Sequence, residues 1–265
     1  GFSSVLANLP ATIENTGLEL SLSTTNFQSQ NFSWRTSLNF TVPKNKLVEF
    51  DDLELTSYRN TYRIGEPLDI SLLYQYDGIN PDTGQYQVAD ANGDGRLDFN
   101  DRVVEARLGR EYYGGLQNDF KIKNFSLSFL LEYVKQQRPS YLAELSLAPG
   151  RFGNNSIQLL NSWRQEGDNT NIQQLSQGIP SLLAYFNAVN SDLVIADASF
   201  LRMKTLTLNY QFTPGILENV GVRNCNLFVN AQNLFTISNY LGLDPQGGKI
   251  VPPLRTVTTG LQLNF

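Results

Sequence analysis

The sequence predicts an all-β chain, forming part of the wall of a large antiparallel transmembrane β-barrel with long extracellular loops. Three observations lead there. Apolar and polar residues alternate with period two in about seven segments. The connections between those segments alternate strictly between short and long. No apolar run approaches the roughly 20 residues that a membrane-crossing helix needs; the longest are only a few residues, as at Phe129-Leu130-Leu131. A barrel strand escapes that helix test because its lipid-facing residues are interleaved with polar ones.

The segments follow in chain order. The first carries Leu18, Leu20 and Leu22. The second sets Phe32, Trp34, Thr36, Leu38, Phe40 and Val42 on one face against Ser33, Arg35, Ser37, Asn39 and Thr41. Leu116, Asn118, Phe120 and Ile122 mark the third. In the fourth, Phe125, Leu127, Phe129, Leu131 and Tyr133 oppose Ser126, Ser128, Leu130 and Glu132. Leu206, Leu208, Tyr210 and Phe212 mark the fifth, and Cys225, Leu227, Val229 and Ala231 the sixth. The last puts Val257, Thr259, Leu261, Leu263 and Phe265 opposite Thr258, Gly260, Gln262 and Asn264. Each predicted strand has roughly 9–12 residues, the length that crosses a bilayer at a tilt.

Phe27–Asn31, Lys123-Asn124 and Thr213–Asn224 make short or moderate connections, whereas 43–113, 135–200 and 236–254 are long. Outer-membrane barrels have short periplasmic turns and long extracellular loops. Counting back from a periplasmic C-terminus puts every long connection outside. Long loops are uncommon in compact domains, yet a soluble β-sandwich alternates too. The competing reading is therefore a calcium-stabilised sandwich that binds glycan or mediates surface adhesion. Bacterial barrels normally have an even strand number, and Gly1-Phe2-Ser3-Ser4 has neither the basic region nor the apolar core of a secretory signal. The expectation is the C-terminal portion of a longer polypeptide.

Composition narrows the function. The 265 residues hold 20 Lys plus Arg and 25 Asp plus Glu, a formal net charge of −5, which disfavours nucleic-acid binding. Histidine is absent, so no imidazole base, Ser-His-Asp triad or His-ligated zinc is expected. The single cysteine, Cys225, allows no internal disulfide and reads as a small buried apolar residue. Carboxylates form no acid/base pair outside the loop described next, and Gly247-Gly248-Lys249 lacks the rest of a phosphate-binding loop. No enzymatic activity is expected.

One ligand motif is sharp. Residues 90–101 read Asp-Ala-Asn-Gly-Asp-Gly-Arg-Leu-Asp-Phe-Asn-Asp. Asp90, Asn92, Asp94, Asp98 and Asp101 occupy positions 1, 3, 5, 9 and 12 of an EF-hand-type loop, Gly95 sits at the sharp turn, and Arg96 offers its backbone carbonyl at position 7. Hard oxygen ligands in this pattern suit Ca²⁺. With Asp at position 12 and no flanking amphipathic helix, the expected site is static and structural; the alternative is a turn held by Asx hydrogen bonds alone.

Aromatic residues supply weaker candidates. Tyr112, Tyr113, Tyr133, Tyr210 and Phe212 lie near strand ends and suit aromatic girdles. Tyr58, Tyr62, Tyr74, Tyr76 and Tyr86 lie in the 43–113 excursion, where rings could meet cargo or a lid or else pack within their own loop. Ile157, Leu160 and Trp163 suggest a short amphipathic helix used for loop packing.

Several segments together resemble SusC/RagA-family TonB-dependent outer-membrane transporters. Asn15-Thr16-Gly17-Leu18-Glu19-Leu20 with Asn31-Phe32-Ser33-Trp34 resembles the family's first hairpin here. Gly65-Glu66-Pro67 with Tyr76-Asp77-Gly78-Ile79, and Asp90 to Arg102, resemble its loop motifs. Ala196-Asp197-Ala198-Ser199-Phe200-Leu201-Arg202-Met203-Lys204, Gln232-Asn233-Leu234-Phe235-Thr236, Gly242-Leu243-Asp244-Pro245 and the closing Pro253–Phe265 resemble its later strands. Departures fall after Trp163, where the family's proline-containing stretch is missing, and at Asp69–Tyr74.

The resemblance implies a plugged barrel of about 22 strands, of which this chain supplies about the last third of the wall. The plug belongs to the family's N-terminal part and is absent here. The resemblance further implies a SusD-like surface lipoprotein as lid, energy from TonB–ExbB–ExbD through that N-terminal part, outer-membrane lipid around the wall, and oligosaccharide or oligopeptide cargo. It also implies that Phe265, closing the last strand, is the signal read by the assembly machinery. A family barrel recruited as a structural member of an outer-membrane complex is the remaining alternative.

Overall fold

A computed structural model describes residues 8–140, 142, 147–213, 221–247 and 251–265. Gly1–Ser4, Gly248 and Lys249, read above for a signal sequence and a phosphate loop, lie outside the described residues. In chain order the strands are β1 (Ala11–Gln28), β2 (Phe32–Phe50), β3 (Ile70–Leu73), β4 (Tyr76–Ile79), β5 (Tyr86–Val88), β6 (Val104–Arg107) and β7 (Arg110–Ile122). They continue as β8 (Phe125–Pro139), β9 (Ile195–Asp197), β10 (Phe200–Gln211), β11 (Asn224–Gln232), β12 (Thr236–Ser238) and β13 (Thr256–Asn264), with a helix α1 at Ile179–Ala188.

The wall is one continuous antiparallel sheet in the order β1-β2-β7-β8-β10-β11-β13. This removes the sandwich reading, which needs two sheets packed face to face over a shared core. The sheet is not closed: β1 and β13 are its edges. Register carries the alternation across every strand. Leu20 pairs with Phe40, Leu38 with Leu116 and Leu116 with Leu131. Phe129 pairs with Leu206, Leu206 with Ala231 and Ala231 with Val257. These side chains make one apolar face. On the opposite face Ser21 meets Asn39, Ser37 meets Gln117, Asp119 meets Ser128 and Thr207 meets Asn230. The large side chains of the apolar face are uncovered, with Leu18 64% exposed, and only short ones such as Ala231 and Cys225 are buried between their neighbours.

The 43–113 excursion is shorter than the alternation suggested. β2 runs on to Phe50 and β7 begins at Arg110, leaving 51–109 as the connection. The pattern hid this because polar Lys44 and Lys46 interrupt it. Pairing of β2 with β7 stops at Thr41 and Tyr113, while pairing with β1 continues to Ala11 and Phe50. Above Thr41 the β1–β2 hairpin leaves β7 and is covered instead by the following connection, Leu47 exchanging backbone bonds with Gly65 (2.8 Å) and Glu66 (2.9 Å). Pro43 falls where β2 has become an edge strand, which is where a residue without an N–H is tolerated. β8 likewise extends to Pro139, so the second excursion begins at 140 rather than 135.

The long connections all leave from one end of the sheet, and among the described residues the buried clusters lie within them and at the end of β2. Tyr86, Ala148, Tyr185 and Ala188 form one cluster, Leu142, Leu159, Ile172 and Val194 a second, and Leu47, Phe50 and Leu53 a third. The first cluster draws on both excursions. Backbone bonds join them too: Tyr74 N–H to the Asn190 carbonyl (2.9 Å), Asp192 N–H to the Tyr74 carbonyl (3.1 Å) and Gln174 N–H to the Gly84 carbonyl (2.8 Å). The two excursions are one packed body seated on the wall.

Ile157, Leu160 and Trp163 do not make an amphipathic helix. Ile157–Asn161 is a single 3₁₀ turn, Ile157 and Leu160 are exposed, and Leu159 is the buried member. A 3₁₀ turn repeats every three residues and is too short to hold a helical face, so burial of Leu159 decides its orientation.

Candidate functional site

The acidic loop lies between β5 and β6. Asp90 accepts the Gly93 and Gly95 N–H groups through its two oxygens, each at 2.7 Å. Asn92 accepts Asp94 N–H at 2.9 Å, Asp94 accepts Arg96 N–H at 2.8 Å, and Asp98 accepts Asn100 N–H at 2.7 Å. These are successive Asx turns, with Gly93 and Gly95 at φ 73° and 80°. Asp101 is buried and anchors the loop: one oxygen accepts Ala91 N–H at 3.0 Å and the other Asp98 N–H at 2.9 Å. The Asp98 N–H, joined by those of Asn92 and Ala91, holds the Asp101 carboxyl below its ordinary value against the opposing effect of burial.

The donor set is all oxygen, as a hard cation requires: Asp90, Asn92, Asp94, the Arg96 carbonyl, Asp98 and Asp101. Among the described residues, however, no three acidic, Cys or His side chains converge on a common centre. The carboxylates are turned onto backbone N–H groups, and the Asn92 amide donates to Asp94 at 3.2 Å. A cation seated here would replace that last bond by ligation.

The five excursion tyrosines do not act as a set. Tyr74 and Tyr86 are buried, which corrects their assignment to a cargo- or lid-facing surface. Tyr74 lies against the Arg102 guanidinium, whose carbon is 5.0 Å from the ring centre, and the Tyr86 hydroxyl donates to the Asn171 carbonyl at 3.1 Å. Tyr76 meets Tyr86 edge-on, and burial raises its hydroxyl to about 12. Tyr62 packs against the Leu47–Phe50–Leu53 cluster and stacks on Tyr58. Tyr58 is the one substantially exposed member, at 40%. Alternation within a strand marks which side chains share a face, but loop packing has no such period, so the spacing of these rings could not sort them.

The girdle candidates sort by face. Tyr112 and Tyr133 are neighbours on the apolar face (5.8 Å between ring centres), with Phe40 beside Tyr112. Tyr210 and Phe212 lie together near the opposite end of that face (4.9 Å). Tyr113 pairs with Val134 on the polar face and leaves the girdle. From Phe125 to Tyr133 the apolar face of β8 spans about 26 Å along the strand at ~3.3 Å per residue, comparable before tilt to a barrel's apolar band of about 25 Å. Cys225 is buried, as expected of a small apolar residue. Phe265 follows β13 and is exposed.

A buried polar constellation around Arg202 was not anticipated. Arg202 on β10 donates to Asp244 Oδ2 at 2.6 Å, to Gln246 Oε1 at 2.8 Å and to Thr236 Oγ1 at 2.9 Å. Its side chain is 1% exposed and that of Asp244 7%. Both residues stand in segments quoted above, forty-two positions apart, and no spacing rule joins them. The available signal was an arginine between Leu201 and Met203 at a strand start.

Comparisons with known proteins place this geometry. No protein-family model matches the chain. It is 26% identical over 308 residues to the TonB-dependent receptor P3 of Formosa agariphila, covering 100% of this chain and 30% of that protein. It is 27% identical over 295 residues to the TonB-dependent receptor SusC of Bacteroides thetaiotaomicron, covering 100% of this chain and 28% of that one. A structure of the RagAB peptide transporter superposes with a TM-score of 0.73 at 24% identity, over 96% of this chain and 30% of its own. The RagAB importer in its open–open state gives 0.72 at 23% identity, with 96% and 29% covered. The chain thus spans about 30% of the length of the curated relatives it matches.

The two-faced antiparallel sheet with its loops gathered at one end shares its fold with the RagAB transporter chain. This chain is a homologue of TonB-dependent receptors, SusC among them, as its resemblance to the SusC/RagA group implied. Its relatives are receptors and importers, not enzymes.

Proposed function

We propose that the chain is the C-terminal part of an outer-membrane importer that takes up oligosaccharides or oligopeptides in a TonB-dependent manner. The observation that carries this reading is the register-locked division of the sheet into an apolar and a polar face. In a bilayer the apolar face meets lipid between the Tyr112–Tyr133 and Tyr210–Phe212 rings, and the polar face lines the lumen. The body built by the two excursions is then extracellular, and the C-terminus periplasmic. A SusD-like lipoprotein would rest on that body as a lid, and TonB–ExbB–ExbD would act through the part of the protein beyond this chain. Structural neighbours described as a peptide importer support peptide cargo, and the oligosaccharide that the SusC/RagA resemblance also implies is the second cargo class to test.

Calcium belongs to this reading as a structural ion in the 90–101 loop, ligated by Asp90, Asn92, Asp94, the Arg96 carbonyl, Asp98 and Asp101. It performs no chemistry on cargo. The test of function is accumulation of labelled oligopeptides and oligosaccharides in cells carrying the full receptor, with and without TonB. Uptake that vanishes without TonB supports an importer. Equal accumulation in both strains, with loss of a surface complex when the receptor is deleted, points instead to the structural role.

A further inference from the structure

We infer that Arg202 and Asp244 form a latch, holding the segment from Asn239 to Gly247 as a strap folded over the polar face at the loop end of the wall. Arg202 pairs in register with Glu132, so its side chain rises from the polar face and not from the apolar one. The strap comes to it. After β11 a bulge at Asn233 (φ 51°) shifts the register, and β12 continues in the same direction along the start of β10, with Ser238 opposite Phe200; the strap proper begins beyond Ser238. Asp244 then closes an Asx turn, accepting the N–H groups of Gln246 and Gly247 at 2.9 Å each through Oδ1, while Oδ2 takes the guanidinium.

What fastens the strap is almost wholly polar. Gln136 donates to the Pro245 carbonyl at 2.6 Å, Arg138 to the Gln246 carbonyl at 2.8 Å, and the Tyr240 hydroxyl to the Pro139 carbonyl at 2.6 Å. Apolar burial in the strap is limited to Tyr240 and Pro245, while Leu241 and Leu243 are 60% and 66% exposed. A segment held by apolar packing loosens gradually when one contact is removed. A segment held at a buried ion pair does not, because losing one partner leaves an uncompensated charge in a site closed to water. The ion pair is therefore the attachment whose loss costs the strap most, and breaking it loosens the polar contacts around it while the wall strands stay paired. In the importer reading, this sets whether the strap narrows the mouth of the lumen.

The test is hydrogen exchange on the detergent-extracted full-length protein, and it requires no transport, so it stands or fails apart from the proposed function. In wild type the amides of Gln246 and Gly247 are expected to exchange as slowly as those of β10. In Asp244→Asn, exchange across 239–247 is expected to rise roughly a hundredfold, with β10 and β11 still protected. Free-peptide exchange rates for the strap in wild type, or an unchanged strap in Asp244→Asn, overturn the latch. If Asp244→Asn fails to assemble, Gln246→Ala removes one acceptor and keeps the ion pair. A smaller rise confined to the strap supports the latch, and no rise or a uniform one overturns it.

Discussion

The indole N–H of Trp34 donates to the side-chain oxygen of Asn118 at 2.9 Å, from one wall strand to the next, and the Thr36 hydroxyl donates to the same oxygen at 2.7 Å. All three side chains stand on the apolar face, where Asn118 is a polar exception at 8% exposure. A polar group facing lipid must find its partners within the protein. Cross-strand pairing supplies them here.

Trp34→Phe should therefore cost more than its lost ring area. Interactions of this kind in membranes are worth about 0.6 kcal/mol on average and up to about 1.7. Urea unfolding of the barrel in detergent should show a coupling of that size between Trp34→Phe and Asn118→Leu. Simple additivity of the two substitutions would mean that the bond contributes nothing.

Asp94→Ala should reduce tightly bound calcium, measured as metal per purified chain by elemental analysis; an unchanged ratio would remove the ion from the 90–101 loop. Asp101 gives the same loop a pH signature. Its folded value is held below the ordinary 3.8, so its stabilising contribution is fully present above that value and is lost as pH falls below it. Hydrogen exchange of the Ala91 and Asp98 amides, corrected for its intrinsic pH dependence, should quicken as pH falls below the ordinary carboxylate range. Asp101→Asn should show the faster exchange already above that range.

Gly84 of one excursion lies against the Trp163 ring of the other. A Cβ there would lie 2.1 Å from the Trp163 ring, and its φ of 63° already favours glycine. Gly84→Ala should cost about 1–3 kcal/mol from overpacking and part the two excursions. Limited proteolysis should then cut near 80–85 and 163–174 while the wall remains intact. Unaltered digestion would mean that the body does not depend on this contact.

Tyr58 and Tyr86 should separate binding from folding. Tyr58→Ala removes an exposed ring and should leave assembly untouched, with any effect appearing in cargo uptake. Tyr86→Ala empties a core position and should destabilise the loop body by about 3–5 kcal/mol, judged by large aromatic truncations elsewhere. Equal assembly yields for the two variants would contradict this division.

Deleting Phe265 should lower the yield of folded, heat-modifiable barrel in the membrane without changing the amount synthesised. Normal yield would show that the exposed terminal ring carries no assembly signal.

The wall was legible in the sequence because a strand's side chains alternate locally. Leu18, Phe40, Leu116, Phe129, Leu206 and Val257 declare their face within a few neighbours, and the acidic loop declares its turns in the same way. Burial in the excursions is not local. Tyr74 and Tyr58 look alike in the sequence, and only packing against Arg102 or Phe50 tells them apart. The end of β2 was hidden for a related reason: beyond Thr41 the strand has left β7 and needs no alternation, and only the partner strand shows where it stops. Arg202 and Asp244 mark the limit most clearly. The sequence by itself determined that each exists in a strand or turn segment. Tertiary structure decided that they meet, because burial of two opposite charges depends on which distant backbone closes over them.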